Sequence, residues 1–149
     1  MSHLLLTSKG SIAEATARED LAQPLVMVVD DHADTRDLLR CAIEMSGCRV
    51  VEASDGEEAI RLAESMLPNL ILMDTSLPRV DGYMATECIR KLQTKNKVTI
   101  IFLSGHAERH AREMAMAAGG DDYFVKPVDL EELGLTLAKY LTMPRSVRC

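Results

Sequence analysis

Four short apolar segments of the chain each run directly into polar residues of a catalytic type. In chain order these residues are Asp30 with Asp31, Asp74, Ser104 and Lys126. If the segments are parallel strands, their carboxyl ends share one edge, where ligands of open α/β sheets bind. Three carboxylates in one crevice repel each other, so they must take up protons or be neutralised by a cation. An all-oxygen site of this kind suits Mg²⁺ or Mn²⁺.

A divalent ion next to Lys126 would convert the acidic crevice into an anion site. The hydroxyl of Ser104 would add a hydrogen-bonding group to it. A divalent ion, a lysine and a hydroxyl are the electrostatic components that phosphoryl transfer repeatedly uses. The residue types therefore indicate phosphoryl chemistry at the predicted edge.

Five apolar runs of strand length alternate with five segments of helical spacing. The predicted strands are Leu25–Val29, Arg49–Ala53, 70–73, 98–103 and 123–125. The first, third and fourth runs are continuously apolar, which is typical of parallel strands buried on both faces by helices. We therefore predict a single doubly wound α/β domain with a five-stranded parallel sheet and five flanking helices.

Residues suited to helix ends support the alternation. Asp34, Asp55 and Asp129 each precede another acid by three residues, a pattern that predicts a capping side chain at a helix start. Gly47 and the pair at 119–120 suit the left-handed residue that closes a helix, and Pro68 forbids continuation.

The domain is predicted to span residues 24–143, with a short C-terminal tail at 144–149. Residues 1–23 form an N-terminal extension. Ser11 and Glu14 make a capping-box pattern there, and a short helix over 12–22 is one alternative. A tail without fixed structure is the other, since short Ala-rich helices are marginal alone.

Composition excludes several classes of function. The 149 residues hold 23 Asp and Glu against 17 Lys and Arg, and the resulting net charge of −6 disfavours direct nucleic-acid binding. No apolar run approaches the ~18 residues of a membrane span. No signal-peptide pattern is present, so we expect a cytoplasmic protein. The four cysteines form no Cys-x-x-Cys pair, which argues against a zinc or redox site.

These motifs together resemble the receiver domain of two-component response regulators over roughly residues 25–141. The resemblance rests on four segments of the sequence. They are Val-Val-Asp30-Asp31, Ile-Leu-Met-Asp74 running into Leu-Pro and Asp-Gly, Phe-Leu-Ser104-Gly, and Gly-Asp-Asp-Tyr123-Phe-Val-Lys126-Pro127. It implies the flavodoxin-like strand order 2-1-3-4-5.

The resemblance also implies a role for each site residue. Asp74 would accept a phosphoryl group from a phosphohistidine of a sensor histidine kinase or a histidine phosphotransfer protein. Lys126 and Ser104 would contact the phosphoryl oxygens, and Ser104 and Tyr123 would act as switch residues. The metal ligands would be Asp30, Asp31, Asp74 and the backbone carbonyl of Ser76. The Lys126–Pro127 peptide would be cis.

Further expectations concern lifetime and output. Ser76 and His106 flank the phosphoryl site and would modulate how long the group survives. Phosphorylation would switch protein–protein contacts through helix 4, strand 5 and helix 5, to a downstream target or to a second copy of the chain. Gly120 lacks the small side chain usual in the family, which would give the backbone before strand 5 more freedom.

Three other classes of protein fit this pattern less well. A haloacid dehalogenase-type phosphohydrolase needs a second acid two residues after its nucleophile, where this chain has Ser76. An adaptor that is never phosphorylated would not need the complete set of acids, hydroxyl and lysine. A nucleotide-binding enzyme would show a Gly-x-Gly-x-x-Gly or Walker loop, and neither occurs.

Overall fold

The computed structural model describes residues 23–92, 97–106 and 109–141. Within them five strands alternate with five helices. The strands are β1 (Leu25–Val29), β2 (Arg49–Ala53), β3 (Leu70–Asp74), β4 (Thr99–Ser104) and β5 (Asp122–Val125). The helices are α1 (Ala33–Met45), α2 (Gly56–Met66), α3 (Gly82–Leu92), α4 (Arg109–Ala118) and α5 (Leu130–Leu141). The helix considered for 12–22 and the tail at 144–149 lie outside the described residues.

All strand pairs are parallel, in the order β2-β1-β3-β4-β5. Strand β1 lies between β2 and β3 and pairs Met27 with Val51 of β2 and with Ile71 of β3. This confirms the predicted doubly wound, flavodoxin-like α/β fold. Among the described helices, none is long and apolar enough to cross a membrane.

Apolar side chains cover both faces of the sheet, which explains the continuous apolar runs. Successive strand residues point to opposite faces, so β1 sends Met27 to one core and Val28 to the other. The first core packs under α2, α3 and α4, and the second packs under α1 and α5. With both faces occupied, the strand ends remain for polar chemistry.

Two of the three predicted helix caps are confirmed. The Asp55 carboxylate accepts the Glu58 N–H at 2.8 Å, and Asp129 accepts the Glu132 N–H at 3.2 Å. The cap at Asp34 is wrong, because α1 already begins at Ala33 and Asp34 lies in its first turn. The His32 N–H donates to Asp30 Oδ1 at 2.8 Å, a local turn that starts the helix early.

Four strand boundaries differ from the prediction, one of them the start of β4, which is Thr99 rather than residue 98. Asp74 and Ser104 are the last residues of β3 and β4, whereas we expected them to follow these strands. Asp74 stays in register because it lies opposite Leu103, and the Lys126 N–H donates to the Ser104 carbonyl at 2.7 Å. Strand β5 begins at Asp122, one residue early. Asp74 and Ser104 are therefore held in place by the sheet itself.

Glycines close two helices as predicted, with φ of 86° at Gly47 and 113° at Gly119. Gly120 has a different role. A Cβ there would lie 2.6 Å from the Phe102 ring, and the Gly120 N–H donates to the Ala115 carbonyl at 3.0 Å. The Phe102 ring therefore occupies the space that a small side chain at Gly120 would need.

We predict that Gly82→Ala destabilises the domain by about 3 kcal/mol. A Cβ at Gly82 would lie 2.1 Å from the Asp74 backbone oxygen, so the start of α3 would have to move away from β3. Gly134→Ala is the matched control, because its Cβ meets nothing within 4 Å and alanine favours a helix by about 1 kcal/mol. Urea unfolding should show opposite shifts, and equal shifts would contradict the close approach.

Candidate phosphoryl-acceptor site

The carboxyl ends of four strands bring the predicted site residues to one edge of the sheet. Asp30 directly follows β1, and its N–H donates to the Ala53 carbonyl at 3.1 Å. Asp74 and Ser104 end β3 and β4, and Lys126 directly follows β5. The structure therefore places the acids, hydroxyl and lysine together as expected.

A lysine bridges two buried carboxylates at the centre of this edge. The Lys126 ammonium lies 2.8 Å from Asp30 Oδ2 and 3.2 Å from Asp74 Oδ2. The Asp30 side chain is 0% exposed, whereas the Lys126 side chain is 26% exposed. One cation therefore faces two carboxylates that are nearly sealed from water, and the ammonium remains partly open to solvent.

The pKa of Asp74 is raised above its ordinary value. Burial is the largest cause, and the charge of Asp30 adds to it. The Ser76 N–H, which donates to Asp74 Oδ1 at 3.1 Å, and Lys126 oppose the rise. The carboxylate is therefore held in a site that disfavours its charge and would gain from a further cation.

The pKa of Lys126 is also raised. Burial acts to lower it, but the hydrogen bond to Asp30 and the charges of Asp74 and Asp30 together outweigh burial. The lysine is therefore fully charged at neutral pH and is a permanent cation of the site.

The donor set at this edge fits a divalent cation. Ligand atoms of Asp30, Asp31, His32 and Asp74 all lie within 4.8 Å of one another. Three are carboxylate oxygens, the donor type that Mg²⁺ and Mn²⁺ prefer. Ser76 reaches the cluster through its N–H, and its carbonyl as a ligand stays a prediction. His32 is not among the ligands expected from the sequence, although its position directly after the acid pair is a usable signal.

The two predicted switch residues meet through the backbone of His106. The Ser104 hydroxyl oxygen accepts the His106 N–H at 3.1 Å, and the Tyr123 hydroxyl donates to the His106 carbonyl. Tyr123 is only 6% exposed, and the Arg112 guanidinium lies 5.9 Å from its ring centre. The loop after β4 therefore connects the candidate site to the surface of α4 and β5.

Three further features of this edge are visible in the structure. The Lys126–Pro127 peptide is cis, as the resemblance implies. The His106 side chain is exposed, and the hydrogen bonds described for this residue come from its backbone. The loop after β3 is anchored by an ion pair of 2.8 Å between Arg79 and Asp55.

Comparison with known sequences decides the family. The family model described as "Response regulator receiver domain" matches residues 26–138. The chain belongs to the response regulator receiver family. Receiver domains are signalling modules rather than conventional enzymes, and they bind Mg²⁺ in their active site.

Curated relatives of this receiver fall into two size classes. An uncharacterized 14.6 kDa protein in the sodA1 3′ region of Leptolyngbya boryana is 38% identical over 82% of this chain and 93% of its own length. The regulatory protein PhoP of Bacillus subtilis is 37% identical over 72% of this chain, but only 44% of its own length. The receiver therefore spans less than half of such transcriptional regulators.

Solved structures share the fold. The receiver domain of the sensor histidine kinase PA1611 from Pseudomonas aeruginosa, with magnesium coordinated in its active-site cleft, is 34% identical. Its TM-score is 0.75, covering 82% of this chain and all of that one. The chemotaxis protein CheY4 of Vibrio cholerae, at 26% identity, also has a TM-score of 0.75, covering 80% of this chain and all of its own.

Proposed function

We propose that this receiver accepts a phosphoryl group on Asp74 from a phosphohistidine, donated by a sensor histidine kinase or a histidine phosphotransfer protein. The observation that carries the proposal is the Lys126 ammonium between the carboxylates of Asp30 and Asp74. A lysine in this position pairs with the Asp74 carboxylate before the transfer and can bind a phosphoryl oxygen on Asp74 afterwards. The similar receiver domain of the sensor histidine kinase PA1611, which has magnesium coordinated in its active-site cleft, supports the same chemistry.

In the proposed step a carboxylate oxygen of Asp74 attacks phosphorus in line with the phosphorus–nitrogen bond. That bond breaks, and its electron pair returns to the imidazole of the donor. The product is an acyl phosphate on Asp74. Lys126 would then donate to one phosphoryl oxygen and the Ser104 hydroxyl to another, so that both stabilise charge where the group is transferred.

The metal would be Mg²⁺ or Mn²⁺, held by Asp30, Asp31, Asp74 and the Ser76 carbonyl. When bound, it neutralises the acids and the negative phosphoryl oxygens. Without that neutralisation, three carboxylates against one lysine leave an excess negative charge that repels a phosphodonor. Asp31, with 35% of its side chain exposed, lies on the open side from which an ion can enter.

The signal would leave through α4, β5 and α5. Drawing Ser104 toward a phosphoryl group would break its hydrogen bond with the His106 N–H, and the same loop holds Tyr123. Phosphorylation would thereby shift the equilibrium between two conformations of this loop. The receiver of 24–143 would thereby switch its contacts with a downstream protein or a second copy, without binding nucleic acid itself. Ser76 and His106 would tune the lifetime.

The rival classes fit this site less well. Two residues beyond Asp74, a dehalogenase-type hydrolase needs an acid, and here Ser76 supplies a backbone N–H. An adaptor that is never phosphorylated has no need for Lys126 to remain paired with both carboxylates. Phosphorylation of Asp74 therefore explains most directly why Lys126 is paired with two carboxylates.

Metal dependence tests the proposal. We expect the intact mass to increase by one phosphoryl group when the chain is incubated with acetyl phosphate and Mg²⁺ or Mn²⁺, and not when a chelator is present. Asp31→Asn should need about tenfold more metal for the same extent of phosphorylation. Asp37→Asn on the exposed side of α1 is the matched control. Phosphorylation that is equally fast in chelator would refute the proposal.

A further inference from the structure

His32 lies at the position directly before α1, but its side chain does not cap the helix. Its backbone is extended, with φ −97° and ψ 116°, and its side chain makes no capping hydrogen bond. Cap positions favour Ser, Thr, Asp or Asn, whose oxygens accept free helix N–H groups. Helix formation therefore does not explain a histidine at this place.

The imidazole is instead turned toward the acid pair. His32 Nδ1 lies 3.0 Å from Asp31 Oδ1 and 3.3 Å from Asp30 Oδ1. The hydrogen bond from the His32 N–H to Asp30 Oδ1 fixes the backbone beneath the ring. The side chain is 72% exposed, so the opposite ring nitrogen, Nε2, has access to water.

These separations match neighbouring ligands of one ion. Ligands at about 2.1 Å from an octahedral metal stand about 3 Å apart along each edge. All four candidate ligand atoms fall within 4.8 Å. Three carboxylates and the Lys126 ammonium give the cluster a net charge of −2, which a divalent cation balances. An imidazole binds a metal ion through the lone pair of one ring nitrogen, and Nδ1 is the ring nitrogen that faces the cluster.

We propose that His32 Nδ1 is a ligand of the receiver's divalent-ion site and gives the site a preference for borderline transition ions over Mg²⁺. This inference rests on the proposed function, because it concerns the same metal site. Imidazole nitrogen favours ions such as Ni²⁺, whereas carboxylate and carbonyl oxygens alone suit Mg²⁺. With His32 the ligands include both nitrogen and oxygen. Ions late in the Irving–Williams order, such as Ni²⁺, should therefore bind more tightly relative to Mg²⁺.

The test measures metal binding directly on the full chain. Bound Mn²⁺ is followed by the loss of its free-ion electron paramagnetic resonance signal, and Ni²⁺ and Mg²⁺ are added as competitors. His32→Asn leaves an amide oxygen where Nδ1 stood, and His110→Asn, on the exposed side of α4, is the matched control. We expect the Ni²⁺-to-Mg²⁺ affinity ratio to fall about tenfold or more in His32→Asn and to remain unchanged in the control.

Spin-echo modulation from nitrogen gives a second readout on bound Mn²⁺. We expect nitrogen coupling in the wild type and in His110→Asn, and its loss in His32→Asn. An unchanged affinity ratio together with no nitrogen coupling in the wild type would overturn the role of His32. If the wild type binds metal and is phosphorylated in that case, the proposed function survives. Failure of the wild type to bind any divalent ion contradicts both.

Discussion

Lys126→Met should destabilise the domain by about 3 kcal/mol when divalent ions are removed by a chelator. The substitution keeps a stem of similar length but removes the ammonium that lies 2.8 Å from Asp30 Oδ2 and 3.2 Å from Asp74 Oδ2. Asp30 is fully buried, so its carboxylate cannot recover hydration. Removing one partner of a buried ion pair leaves the other charge uncompensated, which costs more than the pair itself contributes.

Urea unfolding of the wild type, Lys126→Met and Lys126→Arg measures this effect. Lys126→Arg retains the charge and should remain close to the wild type. Lys91→Met, an exposed lysine on α3, controls for the change in net charge. Because the metal ligands are untouched, saturating Mg²⁺ should restore more stability to Lys126→Met than to the wild type. A Lys126→Met protein as stable as Lys91→Met would contradict the central role of this ammonium.

Lys126→Met should also bind Mg²⁺ yet fail to transmit phosphorylation. The variant lacks the charge-assisted contact to a phosphoryl oxygen, whereas the acids remain. Phosphorylation-induced shifts in amide spectra around Tyr123 should therefore be smaller than in the wild type. An unchanged pattern of shifts would show that the signal bypasses Lys126.

Asp74→Asn should abolish phosphorylation while making the domain more stable at neutral pH in chelator. The pKa of Asp74 is raised, first by burial, so the folded state favours the neutral carboxyl that asparagine imitates. A raised carboxyl pKa means that the free energy of unfolding falls as the pH rises from the ordinary value of 3.8 through the folded-state pKa. At neutral pH the wild type therefore bears the cost of a buried charge, which the variant lacks.

The raised pKa of Asp74 also determines how the stability difference should change with pH. The stability difference between Asp74→Asn and the wild type should be largest at neutral pH and should shrink as the pH is lowered toward 3.8. Denaturant unfolding in chelator over that range measures it. If Asp74→Asn is less stable than the wild type at neutral pH, attraction to Lys126 outweighs burial, and the prediction is wrong.

The sheet and the main site residues were predictable because they depend on local patterns. Continuous apolar runs mark strands buried on both faces, and the ends of parallel strands meet at one edge whatever the loops do. Asp30, Asp74, Ser104 and Lys126 could therefore be placed together before any distance was known. The start of α1 was less predictable, because a turn made by the Asp30 side chain competes with the cap at Asp34.

Contacts between side chains distant in sequence could not be predicted in the same way. The Arg112 guanidinium over Tyr123, the Arg79–Asp55 ion pair and the Phe102 ring against Gly120 depend on how separate elements pack. Composition says which charges exist, and packing decides which of them meet. The turn of His32 toward the acids is a local feature, but its rotamer is not encoded by spacing.

The location of the phosphoryl group shows whether Asp74 is the acceptor. The full chain is incubated with acetyl phosphate and Mg²⁺, the acyl phosphate is reduced with borohydride, and the modified residue is found by peptide mass spectrometry. Asp37→Asn serves as the matched control. We expect one modified residue, Asp74, in the wild type and in Asp37→Asn, and no modification of Asp74→Asn. A phosphoryl group on any other residue of the wild type, or undiminished phosphorylation of Asp74→Asn, would contradict this prediction.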